Sequence, residues 1–464
     1  MADLQMTDAN GKLRTRTKIF YGIGDLGNAM VNSAIQFFLM KFYTDGALIL
    51  PALAGNALLI GKIWDAINDP LFGWVSDRTK SRLGKRRVFM IYGAIPLALC
   101  IALLWYVPRD IGQLLTFVWI ALSFAFFDTF WTLTNVPYYA LTSELTDDYD
   151  ERSSLTTVRM VMAVPAYLVG AALTPAIVGL FAVQRTGWGF IGILYGVISA
   201  AVLFISASGL RERKLQAAVE GESSPFKSFA LALKNKPFVW LCAAYFTVNI
   251  SFALIKILMA YYIQYQLLMT AQISLVMGLL LICVTISLPF WQWLSRKMDK
   301  GPAYAIGLGV GALSVAITFF LPHASTPLIY LVAVLAGFGF ATNWIFPWAM
   351  IADVADYDRL ETGQQRSGMY YGVWGLATKI SEALALAVVG WILTGYGYVA
   401  NIAQSLHALF GIRLFFGIVP AVCIVIALPF LFTYPITRKS HAEVRRKLDA
   451  IEAGAAADQP VRTI

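Results

Sequence analysis

Two carboxylates, four residues apart, interrupt the second apolar segment of this sequence. Asp65 and Asp69 lie in the run Gly61-Lys62-Ile63-Trp64-Asp65-Ala66-Ile67-Asn68-Asp69-Pro70. On a helix this spacing places both acids on one face, with Asn68 beside them. A carboxylate at the bilayer centre costs about 3 kcal/mol on insertion scales, so the pair indicates a function. We expect a cation site, because oxygen ligands suit a hard metal ion and a shared proton would serve equally.

The alternative for this acidic pair is an ion pair with an interior base, such as Lys62. Like acids this close repel each other unless a proton, a metal ion or a base lies between them. Three further bases lie in apolar segments: Arg159, Lys256 and Lys379, the last one turn from Glu382. They either neutralise the acids or bind an anionic group of a solute.

A second polar stripe is predicted in the fourth apolar segment. Asp128, Thr132 and Asn135 are spaced i, i+4 and i+7, which is one face of a helix that is otherwise aromatic. We expect this face to look into a cavity, where Thr132 and Asn135 complete an oxygen shell and Asp128 contacts a solute. For the two neutral residues, an interhelical hydrogen bond is the alternative.

The elements that must position these residues are apolar segments of bilayer length. The chain has 464 residues, of which 58% are hydrophobic and 14% charged, against about one quarter charged in soluble domains. A helix crosses the hydrocarbon core with about 20 residues. Twelve spans are predicted, near residues 18–43, 52–76, 88–107, 113–142, 158–183, 188–208, 237–268, 271–294, 303–321, 327–352, 367–395 and 409–434.

Lysine and arginine concentrate at alternate ends of these spans, which predicts cytoplasmic termini by the positive-inside rule. The predicted protein is therefore an integral plasma membrane protein, of a bacterial inner membrane, that functions as a monomer. Residues 1–208 form a first bundle of six helices and residues 237–434 a second. A cytoplasmic linker, 209–236, joins the bundles, and 435–464 form a cytoplasmic tail.

The two halves contain repeated motifs. Thr134-Asn135, followed by Asp148-Tyr149-Asp150, recurs as Thr342-Asn343, followed by Asp356-Tyr357-Asp358. Two parallel six-helix repeats describe the major facilitator architecture, an all-α membrane fold with its substrate site between the halves. The alternative is chance similarity among apolar segments.

Other motifs exclude functions. The match of Gly22-Ile23-Gly24-Asp25-Leu26-Gly27 to a dinucleotide loop fails, because no strand precedes it. Small residues that let helices approach explain it better. The histidines and cysteines are isolated, so we predict no enzyme and no cofactor beyond a coupling ion (Na⁺ or H⁺). The basic residues lie mainly in short segments between apolar spans, where charge orients insertion, so we predict no nucleic-acid partner.

Charged residues near the span ends are candidate gating residues. Asp77, Arg78 and Arg86 lie between the second and third spans, where they could pair with a neighbouring helix end in one conformation and separate in the other. Asp353 and Arg366, near the end of the tenth span, complete the set. The alternative is topological charge alone.

The run Trp64 to Pro70, continued by Asp77 to Arg87, resembles the glycoside-pentoside-hexuronide:cation symporters, the group that contains melibiose permease. The segments Asn135 to Leu141, Thr146 to Arg152 and Ala352 to Gly363 extend the resemblance over nearly the whole chain. The resemblance implies that Asp65 and Asp69 are the principal cation ligands, with Asn68 and Thr132 in the shell. It also implies that a set of residues contacts the sugar or lines its pathway: Tyr139, Arg159, Trp344 and Lys379.

This sequence departs from the family pattern at positions that bear on the identity of the solute. Asn28-Ala29 replaces a Lys-Asp pair, and Asn135 replaces an acidic sugar contact. The resemblance therefore does not predict an alpha-galactoside. We predict cation-coupled symport of a sugar, glycoside or hexuronide-like solute in a lipid bilayer. The alternatives are symport of a lysolipid or another amphiphile and, from a different class, a non-transporting sensor or assembly protein.

Overall fold

Long helices account for most of the chain in the computed structural model, which describes residues 12–79, 81–146, 148–212, 231–323, 326–364 and 366–457. In the described part, the first half contains α1 (Thr15–Ala34, extended by π-helical turns Ile35–Leu39 and Phe42–Gly46), α2 (Pro51–Arg78), α3 (Arg87–Leu104), α4 (Gly112–Leu145), α5 (Tyr149–Leu168, Val169–Leu173 and Thr174–Gly179) and α6 (Gln184–Gly209).

The second half repeats this arrangement and ends in a tail helix. It contains α7 (Lys236–Tyr261 with Tyr262–Gln266), α8 (Ile273–Leu294), α9 (Lys300–Thr318), α10 (Leu328–Phe340 and Thr342–Thr362), α11 (Ser367–Gly395), α12 (Leu406–Arg413, Leu414–Ile418 and Val419–Phe432) and α13 (Arg438–Ala457). Most of the predicted linker, residues 213–230, lies outside the described residues.

Ten of the described helices, α3 to α12, are long and apolar enough to cross a bilayer. The lengths of α1 and α2 also suffice, but side chains such as Asp25, Asn28, Lys62 and Asp65 lower their mean hydropathy. Composition alone therefore does not identify α1 and α2 as membrane spans. The all-α membrane fold is confirmed.

Helix pairing within each half is the same. In the first half α1 packs on α5 and α6, α2 packs on α4, and α3 packs on α4 and α6. Each pairing recurs six helices later. In the second half α7 packs on α11 and α12, α8 packs on α10, and α9 packs on α10 and α12. This repetition confirms two pseudo-symmetric bundles of the major facilitator type.

Two predicted boundaries were wrong by more than two helical turns. α5 begins at Tyr149 rather than near 158, and α10 ends at Thr362 rather than near 352. Hydrogen-bonded helix continues beyond the apolar residues here, and Asp148 accepts a hydrogen bond from the Glu151 amide as the α5 N-cap. Asp148 thus precedes α5, whereas Asp356 lies inside α10, so this part of the sequence repeat is not structurally equivalent.

Close approach between helices depends on a few glycines. A Cβ atom on Gly55 of α2 would lie 2.8 Å from the Leu386 carbonyl oxygen of α11, across the two halves. A Cβ atom on Gly27 of α1 would lie 2.7 Å from Ser199 Cα. The small residues of α1 therefore serve helix packing, as the sequence indicated.

Candidate functional site

The acidic pair of α2 lies at the interface between the halves and contacts a base from α11. Lys379 Nζ lies 2.7 Å from Asp65 Oδ1 and 2.6 Å from Asp69 Oδ2. It also donates to the Asp65 carbonyl oxygen at 3.2 Å. An ammonium group thus occupies the position between the two carboxylates that a cation would take. Pairing with an interior base is observed for this pair, and cation binding there stays a prediction.

Polar residues predicted for the shell surround this pair. Thr132 Oγ1 donates to Asp69 Oδ1 at 2.9 Å. Asn68 is fully buried and donates through Nδ2 to Asp128 Oδ2 at 3.3 Å. Its own Oδ1 is buried without a hydrogen-bond partner in the described structure. A buried amide oxygen without a donor is a free ligand for a cation.

The structure places Asp128 beside the acidic pair, and its predicted contact with a solute stays a prediction. It is buried, and its contact with Asn68 ties it to the shell of Asp65. The spacing could not reveal this, because the partner lies on another helix. In the described part of the chain no three His, Cys, Asp or Glu side chains converge as metal ligands. In this conformation Lys379 holds the two α2 acids instead.

Lys62, a base in α2 of the first half, extends the cluster. Lys62 Nζ lies 3.7 Å from Asp65 Oδ2 and 3.5 Å from Glu382 Oε2 of α11. Both separations are at the long end for ion pairs. Charged contacts thus link α2 to α11 through Lys62, Lys379 and Glu382. If Asp65 bound a cation in place of Lys379, these contacts would be disturbed.

Asn135 does not complete the predicted oxygen shell. Its Oδ1 accepts a hydrogen bond from Asn28 Nδ2 of α1, and its Nδ2 donates to the Trp131 carbonyl oxygen at 3.0 Å. Both asparagines are buried. The interhelical hydrogen bond, the alternative drawn from the sequence, is what the structure contains. The same two asparagines are the departures noted above, so each compensates for the other.

Arg159 and Tyr139 form a separate cluster with Asp25 of α1. Arg159 Nε lies 3.6 Å from Asp25 Oδ2, and Tyr139 Oη donates to Asp25 Oδ1 at 3.2 Å. The guanidinium carbon lies 5.0 Å from the Tyr139 ring centroid, a cation–π distance. The sequence analysis predicted Arg159 and Tyr139 together as solute or pathway residues. It named Asp25 only as part of the glycine motif and predicted no contact for it.

Trp344 and Lys256 both lie where the halves meet. The Trp344 ring packs edge-on against Tyr167 of α5, with centroids 5.6 Å apart, and the residue is 43% exposed. Lys256 Nζ donates to Gln36 Oε1 of α1 at 2.8 Å. These positions agree with contacts to a solute that binds between the halves.

Three of the five candidate gating residues have described contacts within their own halves: Arg86, Asp353 and Arg366. Arg86 Nε lies 3.0 Å from Glu144 Oε1, and Asp353 Oδ2 lies 2.6 Å from Lys300 Nζ. Arg366 donates through Nε and Nη2 to Gln364 Oε1 at 2.9 and 2.7 Å. Arg78 is the last residue of α2. The Asp77 side chain lies outside the described part of the structure.

Sequence reasoning missed a polar cluster at the end of the bundle opposite the termini, which we call the Asp45 cluster. Asp45 of α1 accepts from Lys41 Nζ at 2.6 Å, Tyr265 Oη at 2.7 Å and Tyr398 Oη at 2.5 Å, while its carbonyl accepts from Asn401 at 2.7 Å. Three of these donors belong to the second half. The i, i+4 spacing of Lys41 and Asp45 was the available signal.

Replacing Asp45 with asparagine is expected to open this end of the bundle. Hydrogen bonds to a charged group contribute about 1.5–3 kcal/mol each, so losing one shifts the open-to-closed ratio at least about tenfold. Spin labels at Leu50 and Leu406, in a variant with serine at the four cysteines, measure this separation. We expect a longer distance to be populated in Asp45→Asn.

The control for this prediction is Asp110→Asn. Asp110 is exposed in the α3–α4 loop at the same end, with a φ of 58° that asparagine tolerates. A distance distribution unchanged in Asp45→Asn would show that the cluster does not hold the halves together.

Comparisons with known proteins agree with this architecture. The model of the family described as MFS/sugar transport protein matches residues 20–438. An uncharacterised symporter of Synechocystis sp. is 30% identical over 95% of this chain and 97% of its own length. The sodium-dependent lysophosphatidylcholine symporter 1-A of Danio rerio is 27% identical over 94% of this chain and 88% of its own. The Escherichia coli glucuronide carrier protein homolog is 26% identical over 95% and 96%.

Solved structures support the fold. A bacterial homologue of the human lysosomal transporter Spinster, in an inward-facing and unoccupied conformation, superposes with a TM-score of 0.67 at 13% identity, covering 92% of this chain and 97% of that one. The protein is an integral membrane transporter of the symporter type. With the matched motifs of α2, α4 and α10, the chain belongs to the glycoside-pentoside-hexuronide:cation symporter family of the major facilitator superfamily.

Proposed function

We propose that the protein couples uptake of a solute to binding of Na⁺ or H⁺ at Asp65 and Asp69. One observation carries this proposal: the Lys379 ammonium lies 2.7 and 2.6 Å from the two carboxylates. Once the lysine leaves, two carboxylates this close repel each other, which favours a cation or a shared proton between them. The open Oδ1 of Asn68 and the Thr132 hydroxyl supply neutral ligands.

Coupling then follows from exchange at this site. Lys379 belongs to α11 and the acids belong to α2, so their ion pairs join the halves. A cation that displaces Lys379 removes these inter-half bonds and changes the relative free energies of the two conformations. A ligand shifts such an equilibrium only through differential binding, which this exchange provides.

The proposed orientation places both termini in the cytoplasm of a bacterial cell, with the protein acting as a monomer in the inner membrane. The Asp45 cluster and the Gly55 contact then close the periplasmic end in this conformation. The cavity between the halves would be reached from the cytoplasm, and loss of the Asp45 bonds would give the outward-open state.

The solute class we propose is a sugar, a glycoside or a hexuronide. The second candidate is a lysolipid, because a relative of 27% identity is named as a lysophosphatidylcholine symporter. A non-transporting sensor would not need exchangeable acids at mid-span.

Uptake into proteoliposomes tests the proposed function. The purified protein is supplied with neutral glycosides, hexuronides or lysolipids under an imposed Na⁺ gradient, a proton gradient or neither. We expect accumulation of one class under one gradient. Uptake that ignores both gradients would overturn cation coupling, and accumulation of lysolipid alone would select the second candidate.

A further inference from the structure

A continuous contact joins the two halves along α2 and α11, and we call it the α2–α11 seam. Near the end of the bundle opposite the termini, Gly55 meets Gly390. At the acidic pair, Asp65 meets Lys379. Residue numbers therefore rise along α2 as they fall along α11, so the two helices run antiparallel. Gly390 lies roughly 16 Å from Lys379 along the α11 axis, at about 1.5 Å per residue.

Two glycines let the backbones of the seam touch each other. A Cβ atom on Gly390 would overlap the Pro51 carbonyl oxygen of α2 and lie 3.1 Å from Gly55 Cα. A Cβ atom on Gly55 would lie 3.2 Å from Gly390 Cα and 2.8 Å from the Leu386 carbonyl oxygen. The atoms in the way belong to the main chain of the facing helix, which cannot turn aside as a flexible side chain does. A side chain at either glycine therefore forces α2 and α11 apart.

Two hydrogen bonds between the halves fix the seam beside these glycines. The Ala52 amide of α2 donates to Thr394 Oγ1 of α11 at 2.9 Å, and Trp391 Nε1 donates to Asn56 Oδ1 at 2.9 Å. Ala52 lies in the first turn of α2, where a backbone amide has no acceptor within its own helix. The N-cap residue, Leu50, has no side-chain acceptor to offer. The second half thus caps α2, and this cap exists only while the seam is closed.

We propose that closure of the α2–α11 seam at its glycines inserts the Lys379 ammonium between the two α2 acids and so expels the coupling cation. The inference rests on the cation exchange of the proposed function. The ammonium reaches Asp65 and Asp69 from the opposite half at 2.7 and 2.6 Å. A separation of the helices by about 1 Å takes both contacts beyond hydrogen-bond distance. Gly55 and Gly390 are therefore positioning residues for a site that neither of them touches.

Gly390→Ala tests this inference without changing a charged residue. The added methyl group excludes the closed seam, so the state in which Lys379 is away from the acids becomes more populated. Apparent affinity rises in proportion to the population of the state that can bind, so we expect about tenfold tighter cation binding than in the wild type. Calorimetry on the purified full chain measures it, with NaCl titrated at constant pH and proton uptake followed in a separate titration.

Gly395→Ala is the matched control for this variant. Gly395 lies at the same end of α11, and a Cβ atom there would meet no described atom within 4 Å. Its cation affinity should equal that of the wild type. Spin labels at Leu50 and Leu406, with serine at the four cysteines, should populate a longer distance in Gly390→Ala and keep the wild-type distance in Gly395→Ala.

Gly55→Ala keeps the inference testable if Gly390→Ala does not fold. It places the methyl group on α2 instead, where the overlap with the facing backbone is smaller, and it should also tighten cation binding. Lys379→Gln has lost the competing ammonium, so adding Gly55→Ala to it should give no further gain in affinity. A further gain in this double variant would show that the glycines act by another route and would overturn the inference.

Failure of this inference is distinct from failure of the proposed function. Unchanged cation affinity in Gly390→Ala, with a longer label distance, would overturn the inference and leave the cation site in place. An unchanged label distance would overturn it as well, since the glycines would then not control closure. If neither the wild type nor Lys379→Gln bound Na⁺ or a proton, the proposed function would fail and this inference with it.

Discussion

Asp65→Asn and Asp69→Asn are each expected to abolish accumulation of solute against its gradient. Either change replaces a charged ligand with a neutral amide, which lowers cation affinity at least about tenfold, or about 1.4 kcal/mol. The Asp65 side chain is 9% exposed and the Asp69 side chain 41% exposed. Water screens the Asp69 charge more strongly, so we expect the larger loss of affinity in Asp65→Asn.

Initial rates of uptake under the effective cation gradient measure this effect, with folding followed by size-exclusion profile and thermal stability. Asp110→Asn removes an exposed carboxylate outside the site and should transport at the wild-type rate. Gradient-driven accumulation that persists in both α2 variants would place the coupling site elsewhere.

Lys379→Gln is expected to strengthen cation binding while it disrupts transport. In the wild type the incoming cation must displace an ammonium that makes two short ion pairs. Without this competitor, the acids repel each other until a cation binds between them. We therefore expect the variant to be less stable without the cation and to gain more in thermal midpoint than the wild type when the cation is added.

Breaking a buried ion pair by removing one partner costs about 3–5 kcal/mol, and Lys379 is partly exposed, so the loss should fall below this range. Titrations of Na⁺ and of pH, each followed by thermal unfolding, identify the effective ion. Lys439→Gln, which changes an exposed lysine of α13, is the control. If the cation stabilises Lys379→Gln no more than the wild type, the lysine does not compete for the site.

Local patterns in the sequence predicted the elements well, and contacts between helices explain what they missed. Spacing placed Asp65, Asn68 and Asp69 on one face of α2, and Thr132 on the α4 face that meets it. A periodic pattern does not say which helix lies opposite. The partnership of Lys379 with both acids depends on the packing of α2 against α11, residues more than 300 positions apart.

The same limit applies to Asn135 and Asp128. Asn135 was expected to face a cavity, but Asn28 of α1 satisfies its amide. Asp128 was expected to contact the solute, and the sequence could not show that Asn68 of α2 donates a hydrogen bond to its carboxylate. The Asp45 cluster combines residues from α1, α7 and the segment after α11, so nothing in any single segment indicated its size.

The most direct test of cation binding is calorimetry on the purified protein without solute, with Na⁺ titrated at constant pH and proton uptake measured in a separate titration. We expect the wild type to bind one cation, the double variant Asp65→Asn with Asp69→Asn to bind none, and Lys379→Gln to bind it more tightly. Cation binding of unchanged stoichiometry and affinity in the double variant would show that Asp65 and Asp69 are not the cation site.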